Sequence, residues 1–181
     1  MIRILGGSIR GRKLKSPKGL LFRPATGRVK EFIFSYLYDE IEGLRILDLF
    51  SGTGSLGIEA LSRGAKECVF VEKSRESLKI LKDNIDICRF SGKAHILAGD
   101  VFSVIKKLGS ERQTFDIIMA DPPFKLNLRK QIVVTVGENN ILNNQGLLFV
   151  EHEQHDEDAD QKRLKLIKSR RFGHCVVSIY Q

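Results

Sequence analysis

The sequence predicts an α/β fold: a mostly parallel sheet wrapped by crossover helices, with the last strand antiparallel and a small N-terminal β-hairpin extension. Three features of the 181 residues lead there. Beyond residue 44, short β-rich runs alternate with longer helical patterns, which is how a parallel sheet with helical crossovers is written. Glycines (Gly64, Gly92, Gly109, Gly146) break the chain between these segments. At the end of the chain two β-rich runs follow each other with no helix between them, so the final strand enters antiparallel.

Taken in order, residues 2–14 read as a hairpin turning near Gly6-Gly7, and Val29 to Tyr38 as a helix leading into the core. The core strands are Arg45 to Leu49, Cys68 to Glu72, Ala94 to Leu97, Phe115 to Ala120 and Leu147 to Glu151. Helical patterns lie between them at Leu56 to Arg63, Arg75 to Arg89, Val101 to Leu108 and Leu128 to Asn139. Leu164 to Ile167 and Cys175 to Tyr180, joined by Arg170-Arg171-Phe172-Gly173, form the closing hairpin; residues 156–160 are an acidic surface loop. There is no internal repeat. The length fits one domain, 1–181, with a basic extension at 1–30 and a core at 44–181.

The net charge of +8 is unevenly placed. Residues 1–30 carry nine bases and no acid, whereas the other 151 residues carry 21 bases against 22 acids. Arg10, Arg12, Lys13, Lys15 and Arg23 are thereby candidate contacts for a polyanion, because each phosphate neutralised releases condensed counterions. Apolar Ile2, Ile4, Leu14, Leu20, Leu21 and Phe22 are interleaved with these bases, so the segment is expected to fold. No apolar run approaches the roughly 18 residues of a membrane span, and the chain opens without a signal-peptide pattern, so a cytoplasmic protein with no membrane partner is expected. Cys68, Cys88 and Cys175 are odd in number and lack metal-ligand spacing; reduced, buried thiols and no metal site are the expectation.

Residues 48–57, Asp48-Leu49-Phe50-Ser51-Gly52-Thr53-Gly54-Ser55-Leu56-Gly57, sit where the first core strand turns into a helix, and glycines there let a ligand approach the backbone. The embedded G-x-G-x-x-G pattern also opens dinucleotide sites. Asp48, four residues before the first glycine, separates the two cases: it suits a net positive ligand and opposes a pyrophosphate. S-adenosylmethionine, with a sulfonium and an ammonium against one carboxylate, is such a ligand. Acids also close the next two strands. Glu72 is placed to accept from both ribose hydroxyls, and Asp100 from the adenine amino group, with Val101 as an apolar contact. Each acid alone would serve equally as a surface carboxylate or helix N-cap, but three at successive strand ends point to one ligand. Phe50, Ser51, Gly52, Thr53, Gly54 and Lys73 complete the core of the candidate cofactor set.

Asp121-Pro122-Pro123-Phe124 follows the fourth strand. The lone pair of an aromatic exocyclic amine is delocalised into its ring, so the amine attacks well only when acceptors hold its N–H groups. Asp121 offers a carboxylate and Pro122 a carbonyl, while Pro122 and Pro123 stiffen the loop and remove competing donors. Phe124 offers a face for a base taken out of its stack.

Together these stretches resemble the RsmD family of bacterial small-subunit ribosomal RNA guanine-N2 methyltransferases, over essentially the whole chain. The matching residues are Gly11-Arg12-Lys13-Leu14, Pro17-Lys18-Gly19, 23–31, 48–54, Phe70-Val71-Glu72-Lys73, 121–124, Val150-Glu151-His152 and Arg171-Phe172-Gly173. The cofactor loop and D-P-P are common to many methyltransferases; the R-P-x-T-x-x-R-V stretch from Arg23 to Val29 and the basic hairpin before it are more specific. The resemblance implies a Rossmann-like, seven-stranded S-adenosylmethionine methyltransferase fold. It also implies a substrate met within an assembling or assembled small ribosomal subunit, and Thr26 and Arg28 near cofactor and target nucleotide. Phe124 stands where the family usually has tyrosine, keeping the stacking face and losing a hydroxyl. Ala25 replaces a common threonine, and Gly27 a residue that is often acidic. Glu151-His152 reads equally as a structural pair or as neighbours of the active site.

Other readings keep the fold and move the methyl to adenine N6 or a glutamine amide, or make the chain a catalytically silent RNA-binding assembly factor. The set Asp48, Glu72, Asp100 and Asp121 argues against silence, and 181 residues leave no room for a separate DNA target-recognition domain. The chain is expected to act as a monomer.

Overall fold

The computed structural model describes residues 2–17, 27–38, 40–123, 126–153 and 163–181. Strands β3 (Arg45–Leu49), β4 (Glu67–Glu72), β5 (Ala94–Ala98), β6 (Phe115–Ala120) and β7 (Leu142–Glu153) run parallel, joined by α2 (Ser55–Ser62), α3 (Arg75–Ile87), α4 (Val101–Ser110) and α5 (Arg129–Glu138). With β8 (Leu166–Phe172) and β9 (Cys175–Tyr180) they form a seven-stranded sheet in the order β5-β4-β3-β6-β7-β9-β8. β9 lies antiparallel between β7 and β8, as the helix-free chain end predicts. Strand residues alternate between two buried faces. Ile46, Phe70, Met119 and Phe149 pack toward α2, α3 and α1 (Gly27–Tyr36), whereas Leu47, Val71, Ile118 and Val150 pack toward α4 and α5. A sheet covered on both faces needs apolar residues at both parities, hence the continuous apolar runs.

Two boundaries differ from the sequence reading by more than two residues. β7 begins at Leu142, five residues before the expected Leu147, and passes through Gly146 in a bulge: Phe115 pairs with Leu142 but Ile117 with Leu147. A Cβ at Gly146 would lie 2.9 Å from the Asp116 carbonyl, so the glycine permits a close strand approach and does not end the strand. β8 continues through Arg170, Arg171 and Phe172, pairing as far as Phe172 with Cys175, which shortens the connection to Gly173-His174. That stretch is polar because β8 is an exposed edge strand, where the apolar pattern that marks buried strands is not required.

At the N-terminus, β1 (Ile2–Arg3) pairs antiparallel with β2 (Lys13–Leu14). The hairpin docks through a fully buried carboxylate. Glu59 of α2 accepts from the Leu5 and Gly6 N–H groups at 2.8 and 2.7 Å, and pairs with Lys30 of α1 at 3.0 Å and Arg63 at 3.0 Å. Lys30 also donates to the Arg3 carbonyl at 3.0 Å. Gly7 (φ +75) makes the close fit feasible: a Cβ there would lie 1.9 Å from the Ser62 carbonyl oxygen.

Candidate active site

The site is built at the carboxyl ends of β3, β4, β5 and β6, where the crossovers turn away and leave a crevice. After Leu49, Phe50 takes a left-handed conformation (φ 58) and its ring packs edge-on to Phe102 of α4 at 6.4 Å. Positive φ is costly for a bulky residue and marks a turn held by its surroundings. Ser51 supplies part of that hold: its backbone N–H donates to the Val71 carbonyl at 3.0 Å and its hydroxyl to the Asp48 carbonyl at 2.6 Å. Gly54 (φ +81) then starts α2, and its missing Cβ is filled by the Leu81 side chain, 2.4 Å from where a Cβ would sit.

Asp48 lies beneath this loop, 2% exposed, and its Oδ2 accepts from the Gly57 N–H at 2.9 Å. Burial pushes its carboxyl up to about 7, the Glu72 charge adds to this, and the Gly57 N–H and Lys30 oppose it. Glu72, half-buried, accepts from Gly52 N at 2.8 Å through Oε2, and from Lys73 N and Ser74 N at 2.8 and 2.7 Å through Oε1. Asp100 caps α4, its Oδ1 accepting from the Ser103 N–H at 3.0 Å. A carboxylate has roughly four lone-pair sites, so these bonds leave acceptor capacity for a ligand. Val101 is buried beside it, Lys73 is exposed, and Thr53 is buried. The Ser55 hydroxyl, in the first turn of α2, is buried with no hydrogen-bond partner among the described residues. An orphan hydroxyl, three carboxylates and a close-turning glycine loop fit a polar, net positive ligand bearing donors.

Asp121 follows β6, half-buried, with Pro122 buried and Pro123 exposed. In the pairing of β6 with β7, Ala120 sits opposite Val150, so Asp121 comes level with Glu151. Glu151 is 6% exposed; its Oε1 accepts from the Cys175 thiol at 3.1 Å and its Oε2 has no partner among the described residues. Burial raises the Glu151 carboxyl above its ordinary range. Burial, then the hydrogen-bonded Glu151, then the Asp121 charge push the Cys175 thiol up, so the thiol stays protonated. His152 is a structural neighbour, with Nε2 2.8 Å from the Ser178 hydroxyl.

Phe124, Thr26 and Arg23 lie outside the described residues. Arg28 is exposed in the first turn of α1. Arg10, Arg12 and Lys13 are exposed around an open depression of about 590 Å³ on the hairpin, apart from the strand ends. Lys15 is more tightly engaged. Its ammonium pairs with Asp83 at 2.8 Å, and its backbone N–H and carbonyl bond to Asn84, whose amide also donates to the Thr53 carbonyl at 2.9 Å. Asn84 and Glu59 were not legible as site-building residues: a polar residue inside a helical pattern reads as solvent-facing until its partners are known. A hint for Glu59 is its place in Leu56 to Ser62, where every neighbour is small or apolar. The three cysteines are free and buried, and no cluster among the described residues could hold a metal. No described helix is long and apolar enough to cross a membrane.

Comparison with known proteins adds to this geometry. The family model described as "Conserved hypothetical protein 95" matches residues 2–181. The Haemophilus influenzae protein named ribosomal RNA small subunit methyltransferase D is 34% identical over 181 residues, covering 99% of this chain and 93% of that one. The protein of the same name from Escherichia coli K12 is 35% identical over 152 residues, covering 84% and 75%. A solved Escherichia coli structure overlays with a TM-score of 0.85 at 32% identity, covering 99% of this chain and 97% of the other.

Proposed function

Since the chain belongs to the RsmD family of ribosomal RNA small subunit methyltransferases, we propose that it transfers a methyl group from S-adenosylmethionine to guanine N2 in small-subunit ribosomal RNA. The carrying observation is the Asp121-Pro122-Pro123 acceptor loop, which follows β6 beside β3, the nearest of the three adjoining strands β3, β4 and β5 whose ends carry carboxylates. Asp48, Phe50, Ser51, Gly52, Thr53, Gly54, Glu72, Lys73, Asp100, Val101, Thr26 and Arg28 are the proposed cofactor residues. When bound, S-adenosylmethionine supplies an electrophilic methyl on a positively charged sulfur. Asp121 accepts one N–H of the target amine and the Pro122 carbonyl the other, which localises the nitrogen lone pair for attack. As positive charge develops on the amine nitrogen during methyl transfer, the Asp121 carboxylate would stabilise it and take up the proton released. Phe124 stacks the extruded base. Arg10, Arg12, Lys13, Lys15 and Arg23 hold phosphates. The protein acts in the cytoplasm as a monomer, on RNA in the context of the subunit.

Single-turnover methylation of unmodified small subunits tests these roles. Asp121→Ala should slow methyl transfer by about two to three decades with cofactor affinity nearly intact. Phe124→Ala should cost about five- to 150-fold in kcat/KM and Phe124→Tyr little. A parental rate in Asp121→Ala, or equal impairment of the two Phe124 variants, would refute the assignment.

A further inference from the structure

The chain closes on a second basic segment, masked in the overall charge balance by the acids that precede it. Residues 163–181 carry five bases and no acid, while residues 31–162 carry 16 bases against 22 acids. Three of the five, Lys168, Arg170 and Arg171, lie on the exposed edge strand β8. Aromatic faces hold two of them: the Arg170 guanidinium is 5.1 Å from the Phe32 ring centroid and 5.4 Å from that of Phe172, and the Lys168 ammonium is 5.2 Å from that of Tyr36. Among the described residues, none of the three is in an ion pair with a carboxylate. Charges that only prevent edge-to-edge strand pairing need no fixed position. A guanidinium stacked on a ring keeps its planar fork of donors oriented for a phosphate.

The position of the edge matters as much as its charge. Arg170 pairs with Val177, which pairs with Glu151, and Asp121 is level with Glu151. Arg170 therefore stands at the height of the acceptor loop, three strand spacings away, or roughly 14 Å at about 4.8 Å each. Helix α1 connects this edge to the N-terminal hairpin, touching Phe172 through Phe32 and the Arg3 carbonyl through Lys30. The two basic regions thus flank α1, whose first turn carries Arg28.

We propose that Lys168, Arg170 and Arg171 form a second phosphate-binding surface, which grips the RNA backbone on the opposite side of the target base from the hairpin. This rests on the RNA-methyltransferase reading above. The test is binding of unmodified small-subunit ribosomal RNA across a range of salt concentrations, for the parent, Arg170→Gln, and the pair Lys168→Gln with Arg171→Gln. Each phosphate left without its cation should flatten the slope of log affinity against log salt by roughly 0.7 to 0.9 and weaken binding at low salt. S-adenosylmethionine affinity and melting temperature, measured alongside, should stay at parental values for the paired variant. If the parent neither binds nor methylates the RNA, the functional reading fails. If the parent does both and the variants keep its slope, the edge is only a solvated strand edge and this inference fails.

Discussion

At the scale of single residues, Asp48 makes the sharpest commitment. Its carboxyl titrates near pH 7 in the folded chain against 3.8 ordinarily, because ionisation places a charge beneath the glycine loop. A raised folded pKa stabilises the fold fully below about pH 4, and that contribution is lost as pH rises through about 7. The parent should therefore lose stability between pH 5 and 7.5 relative to Asp48→Asn, which has no proton to release. A cationic ligand favours the ionised form, so S-adenosylmethionine affinity should fall as pH drops below 7 in the parent, and less so in Asp48→Asn. Thermal melts with and without cofactor read both effects; identical pH profiles in the two proteins would show that Asp48 does not titrate there. The strand-end placement of Asp48, Glu72 and Asp100 was legible because an acid closing a β-rich run is a local pattern. Their partners were not. Nothing near Glu72 in sequence announces the Gly52 N–H, 20 residues away, and the Cys175 thiol that donates to Glu151 comes from a strand 24 residues on.

At the scale of elements, the N-terminal hairpin is anchored by a buried charge cluster and not by an apolar seam alone. Glu59 serves two backbone N–H groups and two cations, while burial pulls the Lys30 ammonium below its ordinary range and Glu59 holds it up. Removing one partner of such a cluster strands the other charge, at a cost of about 3–5 kcal/mol. Glu59→Ala should lower urea stability by about that amount and expose residues 1–17 to limited proteolysis. A variant of parental stability with a protected hairpin would contradict the docking described here. The order and type of the core elements could be read from periodicity, since buried strands and amphipathic helices carry it. The true extents of β7 and β8 could not, because a bulge glycine resembles a breaker and an exposed edge strand lacks the apolar alternation.

Across the whole molecule, the fold assigns separate work to separate regions. The sheet ends gather acids, to which we assign the net positive cofactor and the target amine, while the hairpin, the first turn of α1 and β8 present cations at the margins. That division explains a net charge of +8 in a protein whose candidate catalytic crevice is acidic. Substituting Arg10, Arg12 and Lys13 with glutamine should weaken RNA binding and flatten its salt dependence while leaving cofactor affinity alone; titrations of each ligand would show it. The total charge was readable from the start, but its second centre on β8 was hidden by the acids of the intervening chain. The most direct measurement of methyl transfer to guanine N2 is to incubate the protein with labelled S-adenosylmethionine and unmodified small subunits, free ribosomal RNA or DNA, then resolve the nucleosides by mass spectrometry. The expected result is label in N2-methylguanosine from small-subunit RNA and none from DNA; label in N6-methyladenosine, or in no nucleoside at all, would contradict it.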